Sequence, residues 1–387
     1  MEGPTAPDDP RALRRSLHAT AELSGDETQT SSLVRSYLER LEPDALHEGL
    51  GGNGLAAVYE APEPGRRTLV RCELDALPIP EVAGIEDASA PPGASHKCGH
   101  DGHMAIVAAL AEMLREKRPE RGSVVLLFQP AEETGAGAKR VLDDPAFAPM
   151  MPDIAFALHN LPGYPLGTVV LRDGVFASTA RSLCVVLEGR TSHAAEPDRG
   201  RSPAAAMSEI ILEWPSVPQA VTSIEEPALV TVVHARLGEP ALGTSPGLAT
   251  VIATLRAQSG RVMERLSERC EGVAKELAAA HGLNMRSEWL EAFPCTESDP
   301  EANAIAETAA REEGLAVTRP EMPFAWTEDF GHFTAAVGGA MFGLGAGEDT
   351  APLHHPDYVF PDGLIDVGAR LFYRVISLAA EWPGGRR

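Results

Sequence analysis

The sequence predicts an α/β protein: a larger domain built on a mostly parallel sheet, interrupted by a smaller inserted α+β domain. Three observations lead there. Continuous apolar runs such as SVVLLFQP (123–130) and DIAFALHN (153–160) alternate with helical periods, the pattern of a parallel sheet buried on both faces. Near residue 178 the texture changes to partly alternating strands with two interleaved helices, and near 290 the first texture returns. The chain has 387 residues, too many for one core and about right for two. The expected division is 1–177 and 290–387 for the larger domain and 178–289 for the insertion.

The elements follow in order. RALRRSLHATAEL and TSSLVRSYLERL read as helices, GLAAVYE as a short strand, and TLVRCELDALPI as a strand running out into a proline-containing loop. Gly, Pro, Ala and Ser make 84–99 a loop. GHMAIVAALAEMLREK places Met104, Val107, Leu110, Ala111 and Leu114 at helical spacing. SVVLLFQP is a buried strand, AGAKRVLDD a short helix, and DIAFALHN a second buried strand. In the insertion, TARSLCVVLEG, ALVTVVHARLG and LATVIATLRAQ read as strands. SPAAAMSEIILEW and GRVMERLSERCEGVAKELAAAHG read as helices. The second lines up Val262, Leu266, Cys270, Val273 and Leu277 on one face. A helix over 300–314, a strand at GGAMFGLG and a helix over 362–381 complete the larger domain.

Composition narrows the function. Lys plus Arg number 33 against 56 Asp plus Glu, a formal net charge of -23 that disfavours nucleic acid as a partner. No apolar run approaches the ~20 residues of a membrane span. The N-terminus lacks the apolar core of a signal peptide. Five scattered cysteines form no disulfide framework, so the expected setting is a reducing cytoplasm.

SHKCGHDGHM (95–104) packs Cys98, His100, Asp101 and His103 into six positions, with His96 just before. Glu132 and Glu133 follow one buried strand, His159 ends the next, and His354 and His355 follow the last. Each lies at the carboxyl end of a sheet strand or in a loop, where open α/β sheets build sites. Three readings of Cys98 compete. A structural zinc site needs four closed ligands, and only half a motif is present. A nucleophilic thiol needs a base and an oxyanion hole, and leaves the paired carboxylates without a task. In a metallohydrolase one glutamate ligates while its neighbour takes a proton from water, and a thiolate bridges two ions.

RRSLHATAEL, ELDALPIPE, HKCGHDGHMA, FQPAEETGAGA, ALHN, SHAAEP, WTEDFGHF and PLHHP, in that order, resemble the M20 metallopeptidase family across nearly the whole chain. The similarity is to the amidohydrolase branch, with N-acyl-amino-acid amidohydrolases, hippurate hydrolases and auxin-conjugate hydrolases. It implies two divalent ions (Zn, Mn, Co or Ni) and cleavage of an N-acyl amino acid or small dipeptide. It implies a homodimer formed through the inserted lid. The implied roles are Cys98 as bridge, His100, Glu133, His159 and His354 as terminal ligands, and Glu132 as general base. Asp75 would orient a ligand histidine, and His193 and Arg256 would bind substrate. The first histidine of the pair at 354–355 is preferred as ligand. A non-catalytic protein binding a small amide on the same scaffold is the rival from another class. Gly243, Asp198 and Cys72–Glu73 depart from the family pattern, which predicts an altered acyl or amino-acid preference with catalysis retained. Glu328 and Asp329 are expected to support His354 or to cap a helix. Cys72, Cys184, Cys270 and Cys295 are expected to be buried small hydrophobes.

Overall fold

Strand order explains why the site residues meet. A computed structural model describes residues 7–82 and 91–381, which form two compact units. The first holds residues up to Phe176, Thr296–Pro323 and Asp329 onward; the second holds Ala177–Cys295 and Phe324–Glu328.

In the first unit an eight-stranded sheet runs in the order Ala45–Leu50, Gly54–Glu60, Arg121–Gln129, Glu63–Glu73, Ile154–Leu161, Gly339–Gly345, Val169–Val170, Val317–Thr318. The four strands from Arg121–Gln129 to Gly339–Gly345 are mutually parallel. Antiparallel pairs flank them, as at Ala45–Leu50 with Gly54–Glu60. The parallel strands are buried almost along their length, which is why they read as unbroken apolar runs. Helices His100–Glu116 and Gly363–Glu381 pack on this core through Met104, Val107, Leu110, Leu371, Phe372 and Val375. Because the central strands are parallel, Glu73, Gln129, Leu161 and Gly345 all end at one edge, and Glu73 pairs with Gln129.

The second unit is an antiparallel sheet in the order Asn284–Phe293, Gly174–Glu188, Leu248–Ala257, Ala228–Leu237. Leu183, Val185 and Leu187 alternate inward and share a core with Val251, Ala253 and Leu255. Helices Ala204–Glu213 and Gly260–Ala280 cover that core, with Trp214 Nε1 donating to Cys270 O at 2.9 Å. Ser259 caps the longer helix by accepting from Val262 N–H at 3.3 Å.

Some features differ from expectation. Strands Ala45–Leu50 and Asn284–Phe293 carry half-exposed sequences with little alternation, so they gave no strand signal. Phe324–Thr327 pairs in parallel with Ala177–Ser178 and so joins the second unit, although it lies far along the chain. Cys72 and Cys270 are buried as expected, but Cys184 and Cys295 are only half-buried. Of the loop expected over 84–99, residues 84–90 lie outside the described residues.

Candidate metal centre

The HKCGHDGH segment enters a helix that starts at His100, so His100, Asp101 and His103 fall on its first turn and Cys98 lies just before it. Gly99 turns the chain with φ +91°, and a Cβ there would lie 2.6 Å from Asn160 Oδ1. His100 and Cys98 are both buried. His100 Nδ1 donates to the Asp75 carbonyl at 2.8 Å, which turns Nε2 the other way. That Nε2 is buried and has no hydrogen-bond partner among the described residues; it lies 3.9 Å from Glu133 Oε1. His159 repeats the device: Nδ1 donates to Asn160 O at 2.9 Å, and Nε2 sits 3.4 Å from Cys98 Sγ. His354 Nε2 is 3.8 Å from Glu133 Oε1. Ligand atoms of Cys98, His100 and His159 lie within 4.8 Å of one another, as do those of Cys98, Glu133 and His354, and those of His100, Glu132 and Glu133.

These residues fit divalent cations. Buried nitrogen without a partner costs free energy unless something electron-poor meets it. Metal-binding histidines hold their second nitrogen to a carbonyl or carboxylate, as His100 and His159 do. Burial, helped by His103, pushes His159 well below its ordinary pKa, leaving a neutral imidazole. Burial opposes the charge on His100 too, but Glu73, Glu133 and Asp75 outweigh it and raise its pKa. A sulfur, imidazoles and carboxylates together suit a borderline transition-metal dication.

The Glu132–Glu133 loop is held from several sides. Asp75 Oδ2 accepts from Glu133 N–H at 3.0 Å and from the Ser24 hydroxyl at 2.7 Å. Asp75 therefore orients His100 through its carbonyl and the glutamate loop through its carboxylate. Ala131 N–H donates to Glu27 Oε1 at 2.8 Å. Gly137 closes the loop so tightly that a Cβ would lie 1.7 Å from Pro130 O. Gly137→Ala is expected to cost about 1–3 kcal/mol by overpacking, seen as a lowered thermal midpoint. An unchanged midpoint would show that the loop relaxes freely.

Behind the centre lies a buried polar network that sequence reasoning missed. Arg71 is bonded to Glu73, to Asp329 Oδ1 at 2.6 Å and to Gln129 Oε1 at 2.8 Å. Gln129 Nε2 and Ala138 N–H also donate to the Asp329 carboxylate, and Asp329 N–H reaches Glu132 Oε1 at 3.4 Å. Asp329 thus backs Glu132; it was expected to support His354 or cap a helix. Burial would raise the Glu73 pKa, but Arg71 and His103 outweigh it and hold the carboxyl below the usual carboxylate range. His103 Nδ1 donates to Glu73 Oε2 at 2.6 Å. The available signal was Arg71 inside the apolar run TLVRCEL: a buried guanidinium requires buried carboxylates.

Other sequence candidates fall elsewhere. His193 is exposed in the second unit, where its two-residue strand pairs with Thr244–Ser245 and Ala194 N–H bonds Gly243 O at 2.9 Å. Arg256 is exposed on strand Leu248–Ala257. Asp198 is exposed in a short turn. His355 is exposed and accepts from Asp357 N–H at 3.3 Å. His18 bonds Asp101 and Glu81 at 2.9 and 2.8 Å, a structural role.

Fold and cluster define a class: an α/β protein with a candidate metal centre at the carboxyl edge of its sheet. The chain belongs to peptidase family M20/M25/M40, whose profile matches residues 69–378. It is similar to the N-acetylcysteine deacetylase of Bacillus subtilis, 29% identical over 373 residues, spanning 95% of this chain and 96% of that one. It is 27% identical over 381 residues to the N-acetyldiaminopimelate deacetylase of Anoxybacillus flavithermus, covering 97% of each. A solved Bacillus subtilis structure, described as a dinuclear metal binding peptidase from the M20 family, superimposes with a TM-score of 0.80. It is 27% identical, over 96% of this chain and 98% of that one. A structure from methicillin-resistant Staphylococcus aureus shares the fold, with a TM-score of 0.87 at 24% identity over 96% of both chains. Among the described residues no helix is long and apolar enough to cross a membrane.

Proposed function

We propose that this chain is a metal-dependent amidohydrolase that cleaves the amide bond of an N-acyl amino acid or a related small amide or dipeptide. The observation that carries the reading is the convergence of Cys98, His100, Glu132, Glu133, His159 and His354 at one sheet edge. Family membership and the deacetylases among the relatives support it. In this reading Cys98, His100, Glu133, His159 and His354 would hold two divalent ions, with the Cys98 thiolate available to both. Zn, Mn, Co and Ni all suit that donor set. When bound, such ions polarise a carbonyl and lower the pKa of water toward about 7.

The chain's own groups do the rest. Glu132, nearly buried and held by Asp329 N–H, takes the proton of the attacking water. Its acid form then protonates the departing amine. Asp75 fixes His100 and the glutamate loop together, so ligand and base keep their spacing. The family resemblance assigns His193 to the developing oxyanion and Arg256 to the substrate carboxylate. The reading includes a cytoplasmic homodimer formed through the 178–289 region. Glycine at 243 and aspartate at 198 point to an acyl or amino-acid preference unlike that of the standard N-acetyl and N-benzoyl substrates.

The test is a panel of N-acyl amino acids and dipeptides, assayed after chelation and again with each metal restored. Hydrolysis of at least one N-acyl amino acid, lost on chelation and recovered with a divalent ion, is the expected result. Full activity in ion-free protein would refute it.

A further inference from the structure

Lys97 is fully buried one residue before Cys98, and its side chain has no part in the proposed reaction. Its Nζ donates to Glu81 Oε1 at 2.7 Å and to the Tyr358 carbonyl at 3.0 Å. Its own carbonyl accepts from His354 N–H at 2.8 Å. One residue therefore grips both ends of the turn from His354 to Tyr358. The turn closes on itself where Tyr358 N–H bonds His355 O at 2.9 Å, and Asn160 Nδ2 donates to the Tyr358 hydroxyl at 2.5 Å.

His354 needs such support. Its side chain is 51% exposed, and its backbone has φ +64°, a left-handed conformation uncommon for residues other than glycine. Packing does not explain Lys97 either. A methionine would fill a similar volume without burying an ammonium beside a centre built for cations. Only the ammonium supplies two directed bonds, one to a carboxylate and one to the turn.

We propose that Lys97 is a positioning residue for the metal centre: its buried bond to the Tyr358 carbonyl clamps the turn that presents His354. It thereby sets the affinity of one of the two ions. This inference rests on the reading of His354 as a ligand.

The experiment titrates Mn²⁺ into chelator-stripped protein by calorimetry, for wild type, Lys97→Met, His354→Ala and the double variant. Lys97→Met is expected to weaken one of two binding events by about 10–100-fold, the usual effect of losing a group that orients a ligand. Added to His354→Ala, the same substitution is expected to change affinity by less than about threefold, because its target is gone. Wild-type affinities in Lys97→Met, or an equal drop with and without His354, would overturn the clamp. Two undiminished binding events in His354→Ala would instead remove the ligand reading beneath it. If Lys97→Met does not fold, Lys97→Met/Glu81→Gln, which removes both charges of the Lys97–Glu81 pair, carries the same cycle.

Discussion

Glu132→Gln is expected to lower turnover by about 10²–10⁴-fold while both ions stay bound. Glutamine keeps the shape of the side chain and can still accept from Asp329 N–H, so the loop and the neighbouring Glu133 keep their places. It cannot take a proton from water or return one to the leaving amine. The pair of measurements that matters is kcat on the best N-acyl amino acid and metal content by mass spectrometry. Loss of turnover with loss of metal would make Glu132 a ligand; turnover within tenfold of wild type would remove it as the base. The proposed separation of roles has a physical basis. Glu132 is almost wholly buried against Asp329, whereas Glu133 lies within 4 Å of two imidazole nitrogens that face it.

The second large effect concerns Cys98. Cys98→Ala is expected to abolish activity and to weaken both ions, because ligand atoms in two separate groups share its sulfur. Cys98→Asp restores an anion able to bridge, so it should recover part of the metal affinity and of the activity, falling short of wild type by about 10–100-fold. A nucleophilic thiol would behave otherwise: Cys98→Asp would be as dead as Cys98→Ala while binding metal normally. Chelation would then spare the wild-type reaction.

The residues of this centre were legible in the sequence because each sits beside a strong local signal. Cys98 and His100 open a helix, Glu132 and Glu133 follow an apolar run, and His159 ends one. What holds them was less legible. Asp329 reaches Arg71 and Gln129 across 258 and 200 positions of chain, a distance no local pattern reports. The role of Lys97 depends on a main-chain carbonyl at Tyr358, and carbonyls leave no mark on a sequence. Asp75 matches a histidine-orienting aspartate, but it acts on His100 through its backbone and on Glu133 through its carboxylate, a division that depends on the fold. Strand Asn284–Phe293 leaves no period-two signal in the sequence because an exposed edge strand needs no apolar alternation.

The central claim is that one sulfur is shared by two cations. It is tested most directly by anomalous diffraction from crystals loaded with zinc. The account predicts two anomalous peaks per chain, each about 2.3 Å from Cys98 Sγ. One peak should also lie within bonding reach of His159, and His354 should ligate one of the two ions. A single peak, or two peaks with Cys98 Sγ outside coordination distance of either, would contradict it.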